Sequence, residues 1–200
     1  MRKQMPRIDN ASFYENAIKR YGCTAKGLNW NSKMSQQVRF SVLHELLGDE
    51  IVTCKLIDAG CGFGDFYLFL QQKGSLPRKY IGYDMVDEML FVAKKRTKQA
   101  FYKCDILSQP LESADFYVAS GSMNILSRFE TFLFIRRCFE ASTKGFIFNL
   151  LKGEDEESNF NYFLPHEIEA YVADFGCEVI VREDYMDGDF TVFLKKEKQC

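Results

Sequence analysis

Histidine is scarce in this 200-residue chain, which holds only His44 and His166, and its seven cysteines include no C-x-x-C pair. That pattern gives neither the clustered ligands of a metal site nor an even-numbered disulfide framework, so no metal is expected and the thiols are read as reduced. Long apolar runs are missing too. None approaches the ~18 residues of a membrane span, and the opening Met1-Arg2-Lys3-Gln4-Met5-Pro6-Arg7 leads into no apolar signal core. A cytoplasmic protein without membrane attachment is the expectation. Charge of one sign is not in excess either: the formal net charge is −2. No global positive field exists to draw the chain onto nucleic acid, so such a partner is disfavoured. The basic run Lys94-Lys95-Arg96-Thr97-Lys98 closes a predicted helix, where cations meet the negative end of the macrodipole.

What is present is an ordinary globular composition, 46% hydrophobic and 27% charged, with a length suited to one core. Residues 1–50 are read as an N-terminal helical cap and 51–200 as the main domain, together one compact unit. In the cap, Met34, Val38, Val42, Leu46 and Leu47 lie near one face of a helix. Beyond it, strand and helix patterns alternate. Apolar runs at Thr53–Asp58, Lys79–Tyr83, Ala100–Cys104, Asp115–Ala119 and Lys144–Leu151 read as strands. Helices follow several of them, from Phe66, from Val86 with Met89, Leu90 and Ala93, from Phe129, and from Pro165 to a glycine stop at Gly176. The last two strand-like runs, Cys177–Arg182 and Phe190–Leu194, are joined by a connection too short for a crossover helix, so they pair antiparallel. The fold class is therefore α/β, a mainly parallel sheet with an antiparallel last strand and helices on both faces.

The most informative stretch is Leu56-Ile57-Asp58-Ala59-Gly60-Cys61-Gly62-Phe63-Gly64-Asp65. Gly60 and Gly62 let the main chain turn sharply and approach a ligand, while Gly64 lets the next helix pack close to the sheet. The turn sits at the carboxyl end of the first strand, where open α/β sheets bind ligands. Its rhythm is G-x-G-x-G. The G-x-G-x-x-G of dinucleotide enzymes and the G-K-[ST] ending of phosphate loops are both absent. Asp58 and Asp65 would repel a pyrophosphate but suit a ligand bearing an ammonium group, as S-adenosylmethionine does. Asp84, ending the second strand, is placed to accept hydrogen bonds from ribose hydroxyls. Asp105, ending the third, is placed to meet an adenine amino group with Ile106 packed on the ring.

With these residues the sequence resembles the class I S-adenosylmethionine-dependent methyltransferases, from about Lys55 to Leu194. The resemblance implies a Rossmann-like seven-stranded sheet and S-adenosyl-L-methionine as cofactor. It gives the methionine end to Asp58, the Gly60 backbone and Ser120, with Cys61, Gly62 and Gly64 completing the turn; the ribose to Asp84; and the adenine to Met85 and Asp105. The stretch from Phe13-Tyr14-Glu15 through Trp30, Gln36 and Arg39-Phe40 is similar to the helical lids of small family members. Trp30 would then close over the ligand and Arg39 would pair with the methionine carboxylate.

Methyl transfer from a sulfonium is an in-line displacement that needs alignment and exclusion of water more than a base. Ser120-Gly121-Ser122-Met123-Asn124 departs from the N-P-P-Y type motif that many family members use on planar amines, so methylation of an adenine or glutamine amide nitrogen is not expected, and a small-molecule acceptor is the leading reading. His166, at a helix start, and Tyr14 are the candidates for a catalytic role. A cofactor-binding regulator without turnover, or a nucleic acid methyltransferase subunit, are the alternatives.

Overall fold

Residues 33–154 and 160–197 are described by a computed structural model. In chain order the elements are α1 (Lys33–Leu47), β1 (Lys55–Ala59), α2 (Asp65–Lys73), β2 (Lys79–Asp84), α3 (Asp87–Thr97), β3 (Ala100–Lys103), β4 (Ala114–Ala119), α4 (Arg128–Ala141), β5 (Ser142–Lys152), β6 (Tyr162–Phe163), α5 (Pro165–Val172), β7 (Glu178–Arg182) and β8 (Asp189–Lys195).

Strand residues feed two cores alternately. In β1, Leu56 joins one cluster and Ile57 the other; in β4, Phe116 and Val118 go one way, Tyr117 and Ala119 the other. Successive strand side chains point to opposite faces, so runs this apolar require cover on both sides. Leu43, Phe66, Leu70, Leu90 and Ala93, from α1, α2 and α3, supply one layer. Phe134, Ile135, Ile168 and Val172, from α4 and α5, supply the other.

The strand order is β3-β2-β1-β4-β5-β8-β7, with β6 pairing β5 outside that path. β1, β2, β3, β4 and β5 run parallel. β8 is antiparallel to both β5 and β7, as the short Asp187-Gly188-Asp189 connection implies. The sheet thus carries eight strands, not seven, because Tyr162 and Phe163 pair in parallel with Leu151 and Lys152, the last two residues of β5. Between β1 and β4 the order reverses direction, and this opens a crevice at the carboxyl ends of the strands.

Local signals account for the element ends. Ser127 and Glu130 form a reciprocal capping box at the start of α4. Pro165 opens α5, where the Leu164 N–H donates to the Glu167 carboxylate at 2.7 Å. Gly176 adopts φ 62° and stops the 3₁₀ turn Ala173–Phe175 that follows this helix. The inward stripe of α1 differs from the expected one. Met34 is 76% exposed, whereas Phe40 and Leu43 are buried beside Val42 and Leu47. The aromatic face of α2 selects them: the Phe40 ring lies 5.1 Å from Phe66 and 5.7 Å from Phe69. No helix among the described residues is long and apolar enough to cross a membrane.

Candidate active site

The glycine turn after β1 is pinned by its own backbone. The N–H groups of Gly60 and Cys61 both donate to the Tyr83 carbonyl, at 2.8 and 2.9 Å. Gly60 has φ +83°, and a Cβ there would lie 2.2 Å from Ser122 Cβ. Only glycine satisfies both conditions. At Gly64 a Cβ would press on Thr97 and Phe101 at 3.2 Å, so the expected close packing of helix and sheet is observed.

Four strand-end or turn carboxylates surround this main chain, each held differently. Asp84 Oδ2 accepts the Gly62 N–H at 2.8 Å and Oδ1 the Val86 N–H at 3.0 Å. Each oxygen keeps lone-pair capacity for a further donor. Burial raises the Asp84 carboxyl above its ordinary range, and the N–H groups of Val86, Gly62 and Met85 oppose that shift. Met85 stands beside it, 42% exposed, an apolar surface open to a ligand. Asp105 caps the turn that follows it, taking the Leu107 N–H at 2.9 Å and the Ser108 hydroxyl at 2.7 Å. Ile106 is buried in the core shared with Ile57 and Tyr83.

Asp58 is buried to 3% exposure, and the Tyr80 hydroxyl donates to its Oδ2 at 2.5 Å. Burial pushes this carboxyl up to about 7, with Asp84 and Asp65 adding to the rise and Tyr80 opposing it. Asp65 corrects an expectation. It does not wait for a ligand cation, because Arg96 binds its Oδ1 at 2.7 Å and Gln36 donates to its Oδ2 at 3.3 Å. The Cys61 thiol is buried and pushed well up by that burial, so it stays protonated.

Across the crevice, the loop after β4 is held chiefly by the side-chain amide of Asn149. Asn149 of β5 accepts the Gly121 N–H at 2.9 Å and donates to the Ser120 hydroxyl at 3.2 Å. The Ser122 hydroxyl donates to the Ala59 carbonyl at 3.0 Å, tying this loop to the glycine turn. Asn161 N–H donates to the Asn124 carbonyl at 2.6 Å, and Asn124 Oδ1 is buried without a partner among the described residues.

Asp58, Gly60, Cys61, Gly62, Asp84 and Ser120 therefore come together at the strand ends, with Met85, Asp105 and Ile106 following β2 and β3. Arg39 stands otherwise than expected. Its Nε donates to Asp189 Oδ2 at 2.7 Å and its Nη2 binds the same oxygen, across 150 residues of sequence. The guanidinium expected to meet a ligand carboxylate is thus engaged with β8, since a buried Asp189 demands a cation. His166 is exposed in the first turn of α5, and His44 packs edge-on against Phe69. Tyr14 and Trp30 lie outside the described residues. Among the described residues, no group of three or more His, Cys, Asp or Glu is arranged to hold a metal ion.

Reading the sequence missed Tyr80, Asn149 and Asp189. Asn149 carried a signal, as the sole polar residue in the run Phe146–Leu151.

Residues 56–145 match the family model of a methyltransferase domain. The fold is similar to magnesium protoporphyrin IX methyltransferase (ChlM) from Synechocystis PCC 6803 with bound SAM, at TM-score 0.72 and 13% identity over 98% of this chain and 100% of that one. It is also similar to the DhpI-SAM-HEP complex, at TM-score 0.73 and 14% identity over 97% and 100%. A third similar structure is the pyocyanin biosynthetic protein PhzM, at TM-score 0.67 and 15% identity over 92% of this chain and 62% of that one. At such identities the likeness concerns the fold. No curated protein sequence matches the chain. Over residues 56–145 the chain thus matches a methyltransferase domain, and its fold is like that of S-adenosylmethionine-dependent methyltransferases.

Proposed function

We propose that the crevice binds S-adenosyl-L-methionine and that the protein transfers its methyl group to a small-molecule acceptor. The observation that carries this reading is the Asp84 carboxylate, which brackets the turn through the Gly62 and Val86 N–H groups and keeps lone pairs for two ribose hydroxyls. The rest of the site fits the same nucleoside. Gly60 leaves room for close approach, Asp58 stands just before the turn with Tyr80 on its Oδ2, and Met85 offers an apolar surface to a base. In this reading Asp105 and Ile106 take the adenine edge and Ser120 the methionine end.

S-adenosylmethionine supplies an electrophilic methyl on a sulfonium centre. The chain's own residues orient and desolvate. Asp84 and the glycine turn fix the nucleoside, and Asn149 holds Ser120 and Gly121 along the β4 edge where an acceptor would approach. Alignment of nucleophile, methyl and sulfur then provides most of the acceleration, with no base required for an acceptor that attacks in its neutral form. No described side chain is assigned that role, and His166 and Tyr14 remain the candidates if the acceptor must lose a proton.

A small acceptor is favoured by the net charge of −2, which provides no steering toward nucleic acid. Two similar folds, named for a magnesium protoporphyrin IX methyltransferase and a pyocyanin biosynthetic protein, lend it support. The test is calorimetric titration with S-adenosylmethionine, followed by mass-spectrometric search for a methylated product across acceptor panels. Saturable binding with product is expected. Binding with no product from any acceptor would instead favour a non-catalytic regulator, and binding to RNA or DNA that weakens steeply with salt would contradict the small-acceptor reading.

A further inference from the structure

Asp58 and Tyr80 form a pair that fixing a nucleoside does not by itself require. Both are nearly sealed from solvent, at 3% exposure each, and the phenol donates to Oδ2 at 2.5 Å. Tyr80 is wedged between the rings of Tyr67 and Phe101, at 5.1 and 6.1 Å. Unlike Asp84, Asp58 receives no backbone N–H; the Tyr80 hydroxyl is its one hydrogen-bond partner among the described residues. An ionised carboxylate so buried and so thinly solvated is costly.

Its charged and titratable neighbours do not relieve that cost. Tyr80 and Asp84 face it from β2, Cys61 from the glycine turn and Asp65 from α2. The nearby cation, Arg96 of α3, is taken by Asp65 and the Phe63 carbonyl, and Gln36 of α1 is turned to Asp65 as well. Asp58 thus sits among acids, with no cation of its own among the described residues.

We infer that Tyr80 is a positioning residue that presents Asp58 to the ammonium group of the nucleoside, and that binding of this group drives a proton off Asp58 into solvent. The inference rests on the cofactor reading above. The step balances: the Asp58 O–H bond breaks, the proton passes to buffer, and the carboxylate pairs with an amine that is already protonated at neutral pH. The raised Asp58 carboxyl, at about 7, agrees with it.

The test compares S-adenosylhomocysteine with 5′-methylthioadenosine, which lacks the amino-acid arm, on the full chain. The ratio of their affinities cancels every group that both ligands share. With a carboxyl near 7, this ratio rises on the order of twentyfold from pH 5.5 to 7.5 in favour of S-adenosylhomocysteine. Calorimetry at pH 7 in two buffers of different ionisation enthalpy detects about half a proton released with S-adenosylhomocysteine and none with methylthioadenosine. Tyr80→Phe removes the hydrogen bond that favours the carboxylate, so the midpoint of the ratio moves to higher pH. Asp58→Asn flattens it. A pH-independent ratio with no proton release in the wild type overturns the inference, even if neither variant folds, as does an unmoved midpoint in a folded Tyr80→Phe. Absence of binding by both nucleosides at every pH overturns the cofactor reading and this inference with it.

Discussion

On the β1–β2 side of the crevice, position is set mainly by the main chain: two N–H groups on the Tyr83 carbonyl, and Asp84 gripping Gly62 and Val86. On the β4–β5 side it is set by side chains that reach across the sequence, with Asn149 holding Ser120 and Gly121, and the Ser122 hydroxyl on the Ala59 carbonyl. A wall built from backbone hydrogen bonds at fixed spacing suits a nucleoside of constant shape. A wall built from side-chain hydrogen bonds can change with single substitutions and suits an acceptor that varies from one protein to another. In the proposed division of labour, one wall governs cofactor affinity and the other governs turnover.

The sharpest way to break that comparison is at Gly60. Gly60→Val meets both the positive φ and Ser122 Cβ at 2.2 Å, and the strain and overpacking cost about 2–5 kcal/mol of stability. Because of the contact with Ser122, thermal denaturation should show a lower Tm as well as lost S-adenosylhomocysteine binding. Adding Ser122→Gly to Gly60→Ala should recover part of the stability that Gly60→Ala loses.

Asp84→Ala comes next. Losing two ribose hydrogen bonds to a carboxylate, at ~1.5–3 kcal/mol each, weakens S-adenosylhomocysteine binding by roughly a hundredfold or more in calorimetry. Asn149→Leu probes the other wall. It strands the Gly121 N–H and Ser120 hydroxyl, at about 1–3 kcal/mol of stability. Once an acceptor is known, kcat should fall on the order of tenfold to a hundredfold through misalignment, while S-adenosylhomocysteine affinity, to which Ser120 contributes only at the methionine end, falls less. Equal loss of both would erase the division between the walls.

The smallest expected effect is on stability against pH. Asp58 is raised from 3.8 to about 7, and Asp189, chiefly by burial and despite Arg39, to about 6. Both are carboxyls raised above their unfolded values, so between roughly pH 4 and 7 the folded chain binds more protons than the unfolded one. Stability contributed by these groups therefore grows as pH falls from 8 toward 5, the reverse of an exposed carboxylate paired with a cation. In the ligand-free protein this amounts to about 2 kcal/mol, or a Tm several degrees higher at pH 5.5 than at pH 8. Asp58→Asn should remove most of that slope.

The contrast between the walls also explains what could be read from sequence. The glycine turn, the strand-ending Asp84 and the closing hairpin are local patterns, so their residues and spacing suffice. Gly176 and Pro165 marked helix ends for the same reason. Contacts between distant residues carry no such mark. Arg39 was read as ligand-facing because its partner Asp189 lies 150 residues away, and Asp65 because Arg96 and Gln36 approach it from two other helices. Periodicity placed Met34 on the inner stripe of α1, but the rings of Phe66 and Phe69 favour Phe40. β6, two residues long, is too short to show a pattern.

Titration of the wild-type protein and Asp84→Ala with S-adenosylhomocysteine at pH 7.5 tests the central claim most directly. One equivalent bound saturably by the wild type, with affinity reduced a hundredfold or more in the variant, is the expected result. A wild type that takes up no nucleoside, or a folded variant that binds as tightly as the wild type, would contradict it.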